Sequence, residues 1–456
     1  MAILSAGTTR LAALEGQTEL KRAVVVGGGL AGLAAARDLV LAGWQVTLLE
    51  AGAAWGGLAS ALTIAGERVE RFYHFVCRSD DALVGLAREL GIEQRLHWTR
   101  TRTAFFYHGR HYRFGTPLDL LRFTPVPFAQ RVRFGLHVLS SRLRSQWKAL
   151  DDVPAQQWLV QHIGQQAYDV IWHPLLWGKF GQDEQEIAAA WMWHRIWRVA
   201  RSRQHLLAPE MFGFFEEGSF TIVQALVDWL TARPQQVQLR LHTPVRTLQR
   251  DENSWQVQLM NDETLTADAV ISTVALPVLV RLLPQASASY RQQLSSIPMI
   301  GVVCLLLRLR QSFSPNFWLN IHDPQVAFNG VIELTNLNLR LRQAGLNLLY
   351  VPFYLPTDSE RYQRADEGLM SEYLSALRRV NSAFDESWVE EAYISREAYA
   401  QAVCKVGFLQ RMPDVRAPLP GLYVSDSTQF YPEDRTLSAA IRRGRLAAAC
   451  AQEDVR

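Results

Sequence analysis

The stretch Ala23-Val24-Val25-Val26-Gly27-Gly28-Gly29-Leu30-Ala31-Gly32 decides how this chain is read. Its short β-branched run has the character of a buried parallel strand. Ala31 to Leu41 follows as an Ala- and Leu-rich helix with Arg37 and Asp38 as its polar face, ended by Gly43. Trp44 to Leu49 reads as a second strand, closed by Glu50. Strand, helix and strand in that order form a βαβ unit, and each glycine has a job in it. Gly27 permits the tight turn, Gly29 lets backbone approach a pyrophosphate, and Gly32 lets helix and strand pack closely. Leu30 and Ala31 open the helix, whose N-terminus offers free N–H groups and a partial positive charge. Glu50 is placed to accept from ribose hydroxyls, and its charge disfavours a 2′-phosphate. A dinucleotide site is the expectation.

Working outward, Gly56-Gly57-Leu58 supplies a second glycine pair able to bring backbone against phosphate. From Val24 to Leu58 the chain resembles the flavin amine oxidase superfamily, which includes protoporphyrinogen oxidases, phytoene desaturases, monoamine oxidases and UDP-galactopyranose mutases. Two further stretches carry the resemblance. Glu217-Gly218-Ser219-Phe220 looks like the family's glycine turn ahead of a helix at Gln224 to Leu230, followed by Thr243-Pro244-Val245 and the strand end Ile271-Ser272-Thr273-Val274. Gly421-Leu422-Tyr423-Val424-Ser425-Asp426, with Ala440 to Gly444 after it, looks like the family's last strand and helix. The resemblance implies adenine packing for Val245 and a hydroxyl-accepting role beside the ribityl chain for Asp426. Where the family often has glycine before that aspartate, Ser425 stands here. Where monoamine-oxidase-like members carry arginines around the glycine pair, this chain has Ala54 and Leu58, which argues against a true amine oxidase. No cysteine follows the covalent-attachment pattern, so the implied cofactor is non-covalent FAD.

The fold implied is α/β: a Rossmann-like, glutathione-reductase-type FAD-binding domain interleaved with an α+β substrate domain. The expected boundaries are an extension at 1–20, FAD-binding parts at 21–99, 210–290 and 401–456, a helical, basic, Trp-rich part at 100–209, and a β-sheet part at 291–400. Further expectations are a helix over 80–91, another over 360–380, and a last helix from about Leu437.

Composition bounds the answer. With 48% hydrophobic and 20% charged residues, the chain is neither disordered nor a collagen-like repeat. Its cysteines, Cys77, Cys304, Cys404 and Cys450, are too scattered for a disulfide framework or a zinc site, so no metal is expected. Met1 to Leu20 lacks the pattern of a signal peptide, and Ile300 to Leu307 is too short to span a membrane. The expected setting is cytoplasmic, with peripheral membrane attachment left open.

The net charge of +3 hides a segregation. Nine arginines and one lysine face the single Asp119 between Arg100 and Lys148. Aromatics and prolines are interleaved there, and Leu136, Leu139 and Leu143 with Arg133, Arg142 and Arg144 suit an amphipathic helix. Such a stretch fits an anionic membrane surface or an amphiphilic substrate. The alternative is a solvated face salt-bridged to the acidic remainder. No nucleic-acid motif accompanies the charge.

Three residues are expected at the catalytic face. His74, in Glu70-Arg71-Phe72-Tyr73-His74, lies where the family's chain passes the flavin, and reads either as facing it or as a hydrogen-bonded loop histidine. Lys179 lies in Trp177-Gly178-Lys179, which looks like a turn of UDP-galactopyranose mutases. Arg195 lies on the following helix with His194, Arg198, Arg201 and Arg203, where Arg195 and Arg198 could clamp a phosphate or carboxylate. The leading expectation is an oxidoreductase passing hydride from a bulky apolar, anionic substrate to flavin N5, reoxidised by oxygen, a quinone or another carrier. The alternative is a non-redox flavin isomerase acting on a sugar nucleotide or glycolipid precursor.

Overall fold

The computed structural model describes residues 20–202 and 211–455. The expected extension, apart from Leu20, lies outside them, as does Arg203. Strands from distant parts of the chain meet in one parallel sheet, in the order Leu422–Val424, Ala269–Ser272, Arg22–Val26, Gln45–Leu49, Val237–Arg240. The central strand is apolar from Ala23 to Val26 because both of its faces are covered there. Ala23 and Val25 join the cluster under the helix Leu30–Leu41, while Val24 and Val26 join the cluster on the opposite side. That first helix lies against the last, Leu437–Asp454, so closely that a Cβ at Gly444 would stand 2.1 Å from the Ala31 carbonyl oxygen.

A second sheet has seven strands, in the order Val389–Ala402, Met299–Leu309, Leu348–Leu355, Gly330–Glu333, Trp318–Ile321, Thr103–Tyr107, Arg110–Arg113. Alternation along its long strand sends Val303, Leu305 and Leu307 toward the helix Asp366–Val380, and Val302, Cys304 and Leu306 to the other face. Between Pro117 and Ser202 the described chain is helical, including Phe128–Leu143, His173–Phe180 and Ala189–Ser202.

Three local readings need correction. The helix expected over 360–380 is two, Glu360–Gln363 and Asp366–Val380, because Arg364 and Ala365 take extended backbone between them. The helix expected from Gln224 begins earlier, at Phe220. Trp177-Gly178-Lys179 is no turn but the last part of the helix His173–Phe180. Gly178 is required there by a neighbour: a Cβ would fall 2.0 Å from the Asn329 side chain. Among the described residues, no helix is long and apolar enough to cross a membrane.

Candidate functional site

The carboxyl ends of the parallel strands define one edge, the usual place for a ligand in such a sheet. Val26 runs into Gly27, whose φ of 110° suits glycine, and a Cβ there would meet Thr273 Oγ1 at 2.5 Å. A Cβ at Gly32 would lie 2.0 Å from the Gly27 carbonyl oxygen, so the turn and the helix can close only with glycine at both positions. Gly29 caps the helix with no side-chain bond, no acid stands in the first turn, and nothing lies within 4 Å of where its Cβ would be. The first turn thus has no side-chain cap and no acid to compete for its backbone N–H groups, and the positive end of the helix dipole lies at this edge.

The second glycine pair sits on the first. The Gly56 N–H donates to the Gly28 carbonyl at 2.8 Å, and a Cβ at Gly57 would stand 3.5 Å from the Gly29 Cα. Leu58 beyond it packs into the core beneath the seven-stranded sheet. Glu50 holds this end together, accepting from the Gly28 and Gly52 N–H groups at 2.7 Å each. Its carbonyl accepts from the Thr243 N–H at 2.8 Å, which brings Val245 to the same corner. At the other end Asp426 is buried and accepts from the Thr428 N–H at 2.7 Å; burial pushes its carboxyl up against that stabilisation. Beside it the buried hydroxyls of Ser272 and Ser425 lack a hydrogen-bond partner among the described residues. A glycine cradle, an uncapped helix N-terminus and orphaned hydroxyls along one sheet edge fit an extended dinucleotide.

A second group lies deep in the molecule. Asp434 Oδ2 is 2.8 Å from Arg195 and 3.6 Å from Lys179 Nζ, and the neighbouring Arg435 donates to the Tyr354 hydroxyl at 2.6 Å. Lys179 Nζ also stands over the rings of Tyr354 and Trp191, 4.7 and 5.0 Å from their centroids. Burial lowers the Lys179 ammonium to about 7 despite Asp434 beside it. Burial also works against the Asp434 carboxylate, but Lys179, Arg195 and Arg435 outweigh it and hold the acid well below its usual range. Tyr73 is near enough to Tyr354, Arg435 and Arg195 to feel their charge, and burial raises its phenol well above the ordinary value. Three basic side chains thus surround one acid between aromatic walls.

The expected residues divide between these places. Lys179 and Arg195 come together on Asp434. His74 does not join them: its Nδ1 is 3.5 Å from Glu70 and 3.4 Å from Ser219 Oγ, in a pocket also lined by Phe75 and Phe214. Its neighbour Tyr73 feels the charge of the inner cluster instead. Arg195 and Arg198 form no joint clamp for a ligand. Arg198 makes a two-pronged contact with Asp80 at 3.2 and 2.8 Å, while Arg195 takes Asp434. Trp177 of the expected turn is exposed. The sequence reading missed Asp434, Arg435 and Tyr354. The one available signal was the run Glu433-Asp434-Arg435, three charges in succession just ahead of the last helix.

The description of the family of flavin containing amine oxidoreductases matches residues 30–451, and the chain belongs to that family. Pig amine oxidase [flavin-containing] B (Sus scrofa) is 23% identical over 322 residues, which is 64% of this chain and 57% of that enzyme. The match thus spans little more than half of that relative. In fold, the chain is similar to a candidate protoporphyrinogen oxidase from Exiguobacterium sp. 255-15, with a TM-score of 0.73 and 19% identity over 95% of this chain and 99% of that one. Reduced UDP-galactopyranose mutase is also similar, with a TM-score of 0.72 and 15% identity over 95% of this chain and 96% of the other.

Proposed function

We propose that this member of the flavin-containing amine oxidoreductase family binds FAD without a covalent bond and takes hydride from a bulky apolar substrate bearing an anionic group. The observation that carries the reading is the inner cluster, where Lys179, Arg195 and Arg435 outnumber Asp434 between aromatic side chains. A protonated amine would meet like charge there, whereas a carboxylate or phosphate would find its complement. Gly27, Gly29, Leu30, Ala31 and Gly32 would hold the pyrophosphate with Gly56, Gly57 and Leu58. Glu50 and Val245 would hold the adenosine end, and Asp426 the ribityl end. Bound there, FAD supplies a two-electron acceptor at N5.

The chain's own residues bind, orient and move protons. Arg195 and Arg435 are fixed by Asp434 and Tyr354, so they present charge without reorganising. Lys179, lowered to about 7, can exchange a proton at Nζ near neutrality. Asp434, held ionised, keeps its neighbours in place rather than acting as an acid. His74, bound to Glu70 and Ser219, supports its loop and positions Tyr73. Oxygen, a quinone or another carrier would take the electrons onward, and a cytoplasmic setting suits the four buried cysteines.

The same cations suit the diphosphate of a sugar nucleotide, which supports a second reading as a non-redox isomerase. Anaerobic mixing of flavin-loaded protein with anionic amphiphiles and with diamines separates the outcomes. Bleaching by an anionic amphiphile, reversed by oxygen or a quinone, is expected. Product formed only with pre-reduced flavin and no net electron uptake would select the isomerase, and bleaching by diamines alone would overturn both.

A further inference from the structure

The helix Phe128–Leu143 has two apolar faces, and only one has a partner within the fold. Phe134, His137 and Ser141 turn inward, where the Ser141 carbonyl accepts from Trp193 Nε1 at 3.0 Å. Phe128, Val132, Leu136, Leu139 and Leu143 recur every three or four residues along the opposite side, and all are exposed, Leu143 by 84% and Phe128 by 62%. Leu118 and Leu121 on the preceding helix extend the patch. Seven of the thirteen exposed large hydrophobic residues among those described therefore lie within 118–143, a concentration that scattered surface leucines do not produce.

The charge around this patch is positive but for one acid. Arg122, Arg144 and Lys148 are exposed, Arg131 stands 5.4 Å over the Phe128 ring, and Arg142 is half-buried. No cation from Arg100 to Lys148 forms an ion pair with an acid among the described residues. The segment's one acid, Asp119, is held by the Thr116 and Gly115 N–H groups at the start of its own helix. The salt-bridged face that the sequence left open as an alternative is thus not what forms here.

We propose that this face docks on an anionic lipid surface, with the leucines and Phe128 reaching the acyl boundary and the arginines meeting the headgroups. A second copy of the chain is the poorer occupant. Two such faces related by a twofold axis would set unpaired arginines against unpaired arginines, with Asp119 already held by its own helix start. The inference does not depend on the catalytic reading.

The test is flotation of the full-length, flavin-loaded protein with vesicles of phosphatidylcholine, alone or mixed with phosphatidylglycerol. The protein should float with the anionic vesicles and bind the neutral ones roughly tenfold more weakly or worse. Phe128→Glu/Leu136→Glu should abolish flotation, and Arg142→Ser/Arg144→Ser should weaken it by roughly tenfold, both with the flavin spectrum and melting temperature intact. Leu143→Cys carrying an environment-sensitive dye gives a second reading that changes little of the fold, because the native cysteines are all buried. Its emission should shift to the blue with anionic vesicles only. Absence of flotation, equal binding to neutral vesicles, an unshifted dye, or a wild-type dimer that Phe128→Glu/Leu136→Glu turns into a lipid-indifferent monomer would each overturn the proposal.

Discussion

The chain has two arginine-rich stretches, and they do opposite things with the same side chain. In the helix Ala189–Ser202, Arg195 and Arg198 turn inward to Asp434 and Asp80, and His194 is buried and lowered to about 3. In the helix Phe128–Leu143 and its flanks the arginines stay free of acids and border exposed leucines. The two helices touch, through Trp193 and Ser141, so the outer layer backs directly onto the layer that carries the inner cluster. Composition alone makes both stretches basic. What separates them is partners: Asp80 and Asp434 lie 118 and 239 residues from their arginines in sequence.

The largest effect is expected where an inward arginine is removed from a buried carboxylate. Arg198→Met should destabilise the fold by about 3–5 kcal/mol in urea unfolding, because Asp80 is left charged without its partner. The double variant Arg198→Met/Asp80→Leu should recover much of that loss. A loss equal to that of a surface arginine would remove the distinction between the two stretches.

Arg195→Met comes next. Its side chain keeps 26% of its surface open and Asp434 retains two other cations, so stability should fall less than for Arg198. Instead kcat/KM for an anionic substrate should drop by about ten- to a hundredfold, the worth of one charge-assisted hydrogen bond. Unchanged kinetics would take Arg195 out of the substrate site.

Lys179 sharpens the comparison through pH. Anionic-substrate affinity should weaken as pH rises through about 7, where Lys179 loses its charge, and Lys179→Met should flatten that profile. The lysine is neutral in the fold above about 7 but charged in the unfolded chain up to its ordinary 10.5, so the unfolded state binds more protons between those values. The stability linked to it therefore rises with pH across that window, and Lys179→Met should remove the slope. The smallest effect belongs to the outer set. Arg142→Ser/Arg144→Ser should leave unfolding within about 0.5 kcal/mol of wild type.

How far the sequence could be read follows the same division. Gly27, Gly32 and Gly56 could be recognised because clearance or a positive φ demands glycine in a fixed local order, and with Gly29, Gly57 and Glu50, which complete the sequence pattern, they gather at one sheet edge. Lys179 and Arg195 could be picked out by residue type, but not what they meet, since Asp434 and Tyr354 arrive from far along the chain. His74 and Tyr73 are adjacent, and only tertiary packing decides that Tyr73 is the one nearer the inner cations. Gly178 imitated a turn because close approach to Asn329 and tight backbone geometry both select glycine. The charge excess of 100–148 was visible as a count; that it stays unpaired is a fact about distance to acids.

On the proposed function, the cradle at the strand ends would hold FAD without a covalent bond. The direct measurement is the visible spectrum of the purified protein, followed by acid precipitation and identification of what is released. A yellow protein whose flavin leaves in the supernatant as intact FAD is expected, with a colourless Gly32→Val variant, since that side chain cannot fit against the Gly27 carbonyl. Flavin that stays with the precipitate, FMN in place of FAD, or a wild-type protein that takes up no flavin would contradict it.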